Sequence, residues 1–197
     1  MDREEYDLIQ AARDGDHAAF AALLRRHDRQ ILQVAHGILG NMQDAYDAWQ
    51  EGVIKAYSNL SSFRMESRFS TWLTRIVINQ ALNLRKKRNW ARRLSFEQLT
   101  EDGPELAADG DPGADDLMIR TELGREIERA MKVLSDRERT VFVMKHMHDY
   151  KLREIAVMID CAEGTVKNYL FRATRKLRSE LEKHAETRGI GPFASSK

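Results

Sequence analysis

Disulfides, zinc clusters and membrane spans are ruled out by what this sequence lacks. One cysteine, Cys161, stands among 197 residues, so neither an internal disulfide framework nor a cysteine-based zinc site can be built. Such sparing use suits a reducing compartment, and a cytoplasmic protein is expected. No apolar run approaches the ~18 residues needed to cross a bilayer, and the opening MDREEYDLIQ is acidic and then amphipathic, so no membrane insertion is expected. Proline occurs three times and glycine eleven, which leaves room for long helices. No stretch of any length alternates polar with apolar residues as a half-buried strand does. Phosphate-cradling glycine loops, HExxH patterns and a nucleophile setting around Cys161 are missing too. His146 and His148 are two apart near a helix end, face different ways and have no cysteine nearby, so they read as surface residues rather than a metal pair. No enzyme, no metal and no cofactor are expected.

Charge is present in quantity, but its arrangement matters more than its sum. The formal net charge is +1, yet residues 1–94 carry 15 basic and 11 acidic side chains, residues 95–119 carry none and 8, and residues 120–197 carry 17 and 12. Two mildly basic blocks joined by an acidic segment are what two tethered polyanion-binding modules look like; scattered solvated surface would give the same sums.

The apolar spacing predicts helices throughout. Phe20, Leu23, Leu24, His27, Ile31, Val34, Ala35 and Ile38 hold a helical period until Gly40-Asn41 stops it, and a short helix precedes Asp14-Gly15. A second long segment runs from about Gln43 to Tyr57. A third begins near Ser70 and passes through Trp72, Leu73, Ile76, Val77, Ala81 and Leu84 into the basic stretch RKKRNWARR. Together they form an N-terminal bundle. Residues 97–116, EQLTEDGPELAADGDPGADD, hold three Gly, two Pro and no basic residue, and read as a flexible linker. Beyond it a helix is expected around Met118–Val133. Ser135-Asp136-Arg137-Glu138 then has the form of a capping box opening a helix with Val141, Phe142 and Met144. The fold class is all-α: an N-terminal helical bundle and a C-terminal helix-turn-helix domain joined by an acidic flexible linker.

The C-terminal block carries the functional signal. Leu152, Ile155, Ala156 and Ile159 mark a short helix, DCAE a turn, and Val166, Leu170, Ala173 and Leu177 the inner side of a long helix. The turn lacks the common glycine, and Asp160 is expected to take the left-handed conformation in its place. Lys167, Asn168, Phe171, Arg172, Arg175 and Arg178 cover the other side of the long helix. That face offers phosphate-neutralising cations, an amide, an aromatic and arginines able to grip guanine with two hydrogen bonds. A solvated basic helix in a plain bundle would share the pattern.

A family resemblance narrows this choice. The segment LREIAVMIDCAEGTVKNYLFRATRKLR (152–178) resembles the C-terminal promoter-reading domain of extracytoplasmic-function (ECF) sigma factors, the compact branch of the bacterial sigma-70 family. Independently, AARDGDHAAFAALLRRHDRQI is similar to that family's first helix, DAYDAWQEGVIKAY to its polymerase-docking helix, and SSFRMESRFSTWLTRIVINQALNLRKKR to its promoter-opening segment. Tyr46 and Trp49 stand where the docking helix usually has an acidic and an aliphatic residue. Met65 replaces a frequent glycine, and Ala162 a frequent turn proline.

The resemblance implies a region 2-like domain over 1–94, a linker over 95–117, a region 4-like domain over 118–186 and a tail over 187–197. It implies a sigma factor that binds core RNA polymerase, directs initiation at particular promoters, commonly for stress or envelope responses, and is held by an anti-sigma factor. On that reading Asp47, Gln50 and Glu51 meet the polymerase. Ser62, Phe63, Arg64, Met65, Glu66, Ser67 and Asn79 take the minus-ten element as single-stranded DNA. Lys167 contacts phosphate, and Asn168, Phe171, Arg172 and Arg175 read the minus-thirty-five element in duplex DNA. Arg85, Lys86, Lys87 and Arg88, with Arg92 and Arg93, form a cationic patch suited to phosphates, although solvation and helix-dipole compensation account for part of it. Phe69 and Trp72 share a helical spacing with Ile76 that favours burial over stacking on DNA. A helix-turn-helix regulator that is not a polymerase subunit is the competing reading.

Overall fold

The computed structural model describes residues 2–98 and 122–187, with side chains over 2–91 and 126–183. Most of the acidic segment, the tail, the start of the helix expected from Met118 and the side chains of Arg92 and Arg93 lie outside these residues. The described elements are all helical, and they fall into two compact units. Among them no helix is long and apolar enough to cross a membrane.

Among the described residues the N-terminal unit has four α-helices: α1 (Arg3–Arg13), α2 (His17–Leu39), α3 (Met42–Ser58) and α4 (Phe69–Gln98). Each boundary has a local cause. Asp2 Oδ1 accepts the Glu5 N–H at 2.6 Å to start α1, and the Asp16 carboxylate accepts the Ala18 and Ala19 N–H groups to start α2. Gly40 ends α2 at φ +80°, a conformation that costs most side chains about 1–2 kcal/mol. Asn41 turns the chain at once, its Oδ1 accepting the Asp44 N–H at 2.7 Å to cap α3. The apolar stripe of α2 is buried at Leu23, Ile31, Val34, Ala35 and Ile38, facing α1, α3 and α4. His27, counted with that stripe, is only half-buried, and its Nε2 lies 3.3 Å from Glu5 Oε1 of α1. α4 lies against α3, and Gly52 makes the approach possible. A Cβ there would sit 2.6 Å from Val77 Cγ2 and 3.1 Å from Val77 Cα.

The C-terminal unit comprises α5 (Glu122–Ala130), α6 (Asp136–Phe142), α7 (Leu152–Met158) and α8 (Glu163–Thr187). The helix expected through Val133 ends sooner, because Met131–Val133 tighten into a 3-10 turn. The capping box is present: Ser135 Oγ accepts the Glu138 N–H at 3.4 Å, and Glu138 Oε2 accepts the Ser135 N–H at 2.9 Å. Glu138 is only 4% exposed and also receives Lys176 Nζ of α8 at 2.7 Å. Arg139, equally buried, donates to Glu128 of α5 at 2.5 Å. After Phe142 the helix widens into a π turn over Val143–Met147, burying Val143 and Met144.

The turn between α7 and α8 bears out the reading of Asp160, which has φ +54°. The Cys161 N–H donates to the Ala156 carbonyl at 3.0 Å, the closing bond of a Schellman motif whose left-handed position glycine usually fills.

Candidate nucleic-acid interface

α8 has two unlike sides. Val166 and Ala173 are fully buried and Leu177 nearly so. Opposite them Lys167, Asn168, Arg172 and Arg175 are all exposed, and Phe171 is 68% exposed. An aromatic ring left this exposed contributes little to the unit's core. Lys167 pairs with Glu163 one turn back at 3.1 Å, an exposed pair that a phosphate can replace at small cost. Lys176 points the other way, to Glu138, and is absent from the outer face.

In the N-terminal unit the segment between α3 and α4 is held rather than loose. Leu60–Ser62 form a 3-10 turn closed by Ser62 Oγ on the Asn59 carbonyl at 2.7 Å. Phe63, placed by the family resemblance among DNA-contacting residues, is buried at 3% exposure. Its ring packs against Phe69 and Trp72 with centroids 6.0 and 5.0 Å away. Its work is therefore to anchor the loop, while Arg64 and Glu66 are exposed and Ser67 is half-exposed. Met65 has φ +57°. A methionine thus occupies the left-handed position where the family often has glycine, and the loop keeps its turn at a cost of about 1–2 kcal/mol.

Arg13, at the end of α1, was not singled out by any sequence motif. Its Nε donates to the Leu60 carbonyl at 3.3 Å and its Nη2 to the Phe63 carbonyl, so one guanidinium grips the loop from both sides of the 3-10 turn. Beside the loop, Lys55, Asn59, Ser62, Trp72, Ile76 and Asn79, with Gln80, line an open pocket of about 330 Å³. Trp72 and Ile76 give it an apolar wall, while Asn79 and the Lys55–Gln80 hydrogen bond at 2.7 Å give it donors and acceptors. Phe69 is fully buried as its spacing suggested, whereas Trp72 is half-exposed and serves both core and pocket.

The basic stretch of α4 divides by helical phase. Arg85 Nη1 donates to the Ile38 carbonyl at the end of α2 at 2.6 Å, and Arg88 pairs with Asp44. Both are half-buried and brace the bundle, whereas Lys86 and Lys87 are exposed. On α3 the expected residues Asp47, Gln50 and Glu51 are exposed together, and Tyr46 and Ile54 extend this face at 46% and 66% exposure. Trp49, by contrast, is half-buried. An acidic, partly apolar helix face with no packing partner among the described residues of its unit is suited to a protein surface.

Comparison with known proteins fits both units. Residues 23–91 match sigma-70 region 2, and residues 124–177 match sigma-70 region 4. The ECF RNA polymerase sigma factor SigW of Bacillus subtilis is 33% identical over 177 residues, covering 88% of this chain and 94% of that one. The RNA polymerase sigma-H factor of Pseudomonas aeruginosa is 30% identical over 185 residues, covering 91% and 94%. Among solved structures, CnrH in complex with the cytosolic domain of CnrY matches with a TM-score of 0.62 at 22% identity, covering 91% of this chain and 98% of that one. The sigma factor RpoE bound to the anti-sigma factor NepR from Bartonella quintana matches with a TM-score of 0.60 at 23% identity, covering 82% and 96%. The two structural likenesses establish the fold. With both halves matched in order and relatives aligned over nearly their full length, the chain belongs to the ECF sigma factors of the sigma-70 family.

Proposed function

We propose that this chain binds core RNA polymerase through the exposed face of α3 and directs initiation by reading two promoter elements with two separate surfaces. The observation that carries the reading is the pairing of region 2 and region 4 in one chain, and an exposed basic face on α8 and an open pocket beside the 62–67 loop support it. A regulator that is not a polymerase subunit has no use for the region 2 unit, and that alternative is set aside. In this assignment residues 1–94 dock and open the promoter, and residues 118–186 hold it upstream. α8 enters the major groove, where Arg172, Arg175 and Asn168 reach base edges and Phe171 can meet a thymine methyl group. The pocket beside the 62–67 loop takes a base extruded from the downstream element, with Trp72 and Ile76 against its face and Asn79 at its edge. This is work for an initiation factor, not an enzyme, done where polymerase and chromosome are. Core polymerase reconstituted with the chain should start transcription at a defined set of promoters. A chain that never joins core polymerase, or adds no promoter preference to it, overturns the reading.

An anti-sigma protein is the expected restraint. One of the structurally similar proteins was solved with an anti-sigma factor and another with the cytosolic domain of a second protein, and α3 leaves Tyr46 and Ile54 exposed for a protein to cover. Purification from the native host should yield a small stoichiometric protein whose hold weakens when Ile54 is changed to Asp. Recovering the chain only free or on polymerase, under every growth condition, counts against this.

A further inference from the structure

The outer face of α4 continues past the pocket. From Asn79, residues 83, 86 and 90 return to the same side of the helix, and Asn83, Lys86 and Lys87 are exposed along it. The stripe ends at Trp90, which is 64% exposed. A tryptophan is the residue with most to gain from burial, yet this one stands in water one turn beyond two lysines. Along α4 itself the charge before Glu97 is of one sign, for no acidic residue occurs between Glu66 and Glu97, and the Asp44 carboxylate that reaches this stretch from α3 is taken by Arg88. Arg85 and Arg88, in the same stretch, are turned back onto α2 and α3, so their absence from the stripe follows from packing. Flat aromatic surface next to uncompensated cations matches a ligand with flat faces and a polyanionic backbone, which is single-stranded nucleic acid.

We propose that Trp90 is a second base-stacking platform for the DNA strand whose extruded base occupies the pocket, with Lys86 and Lys87 holding the phosphates between. The eleven residue steps from Asn79 to Trp90 span about 16 Å along the helix. At the stacked spacing of ~3.4 Å per nucleotide this places Trp90 about five nucleotides from the pocket base. The proposal rests on reading the pocket as a base site, and the two can be separated by experiment.

Polymerase holoenzyme carrying the full chain is titrated with labelled single-stranded oligonucleotides of the downstream element. One spans only the pocket base and its neighbours, and two others extend it by about six nucleotides at the 5′ or the 3′ end. One of the two extensions should tighten binding. Trp90→Ala should remove that gain, roughly tenfold, while leaving the short oligonucleotide bound as before, and Trp90→Phe should restore most of it. Lys86→Ala and Lys87→Ala should each lower the salt dependence of binding the extended strand by about one unit of slope or less. The proposal is overturned if Trp90→Ala binds the extended strands like the wild type. It is equally overturned if Trp90→Ala loses polymerase or a co-purifying protein while keeping the extended-strand gain, since Trp90 would then face protein. If the wild type does not bind the short oligonucleotide, the pocket reading itself falls and this proposal with it.

Discussion

Replacing Glu138 by alanine is expected to lower the stability of the C-terminal unit by about 2–3 kcal/mol at neutral pH. The carboxylate completes the capping box, is almost wholly buried and anchors Lys176 of α8. Its removal leaves the Ser135 N–H without its partner and loosens the tie between α6 and α8. Most of the loss belongs to the cap and the buried hydrogen bonds. The Lys176 ion pair adds little, because the lysine side chain is 41% exposed and screened by water. Burial by itself would raise the Glu138 pKa, but the hydrogen bonds from Lys176 and Ser135 and the nearby lysine charge outweigh it and hold the group below its ordinary 4.5. A carboxyl depressed in the folded state stabilises fully above its unfolded pKa, and that contribution disappears as pH falls through the folded value. Glu138→Gln should therefore be less stable than the wild type at pH 7, with the gap closing as acid protonates the wild-type carboxyl. Urea unfolding followed by hydrogen exchange at the α6 and α8 amides measures it, and a gap that stays constant from neutral pH into the acid range contradicts the assignment.

The features that were legible in the sequence are those set by neighbours a few residues away. Gly40-Asn41 stops one helix and caps the next because a left-handed residue and an Asn side chain act within four positions. Ser135 and Glu138 form their box because both partners lie on one turn. Asp160 takes φ +54° because an Asp can replace glycine at a helix end. The outer face of α8 follows from period alone.

The features that were not legible depend on what lies across the bundle. Arg85, Lys86, Lys87 and Arg88 are one basic run in the sequence, yet the end of α2 and Asp44 engage the first and last and leave the middle two exposed. Phe63 belongs to a polar loop by position and to an aromatic cluster by packing. Arg13 lies 47 and 50 residues from the carbonyls it grips, and no spacing rule connects them. The pocket draws its lining from α3, the 3-10 turn and α4 together, so only the arrangement of the helices reveals it. Family resemblance named the loop and Asn79 but gave no account of what holds them in place.

On the proposed reading, in which α8 takes the upstream element and the 62–67 loop the downstream one, the two surfaces should fail in different ways. Arg175 is exposed on α8 with its guanidinium free to meet a guanine edge in intact duplex, where losing a two-point contact costs about 1–3 kcal/mol and relaxes preference at one base pair. Arg175→Ala should therefore weaken recruitment of the reconstituted holoenzyme to duplex promoters by roughly 5- to 150-fold. Melting the downstream element beforehand should rescue little of that loss, since the defect lies upstream. Exchanging residues 62–67 for those of a relative should leave recruitment intact, change the preferred downstream base and carry the new preference to a single-stranded oligonucleotide, because an extruded base meets the loop only after the strands part. Arg13→Ala extends the test from the loop to its clamp. It touches neither the exposed loop side chains nor the pocket wall, but it frees the Leu60 and Phe63 carbonyls that fix the loop's shape. Discrimination at the downstream base should fall several-fold while the upstream preference stays as it was. Arg13→Lys should recover only part of it, since an ammonium cannot span both carbonyls as the guanidinium does. Parallel selection of upstream and downstream sequences by the variants distinguishes the outcomes. If the loop exchange leaves the downstream preference untouched while Arg175→Ala alters it, the division of labour between α8 and the loop is wrong. If Arg13→Ala disturbs both elements equally, its role is to hold the bundle together rather than to shape the loop.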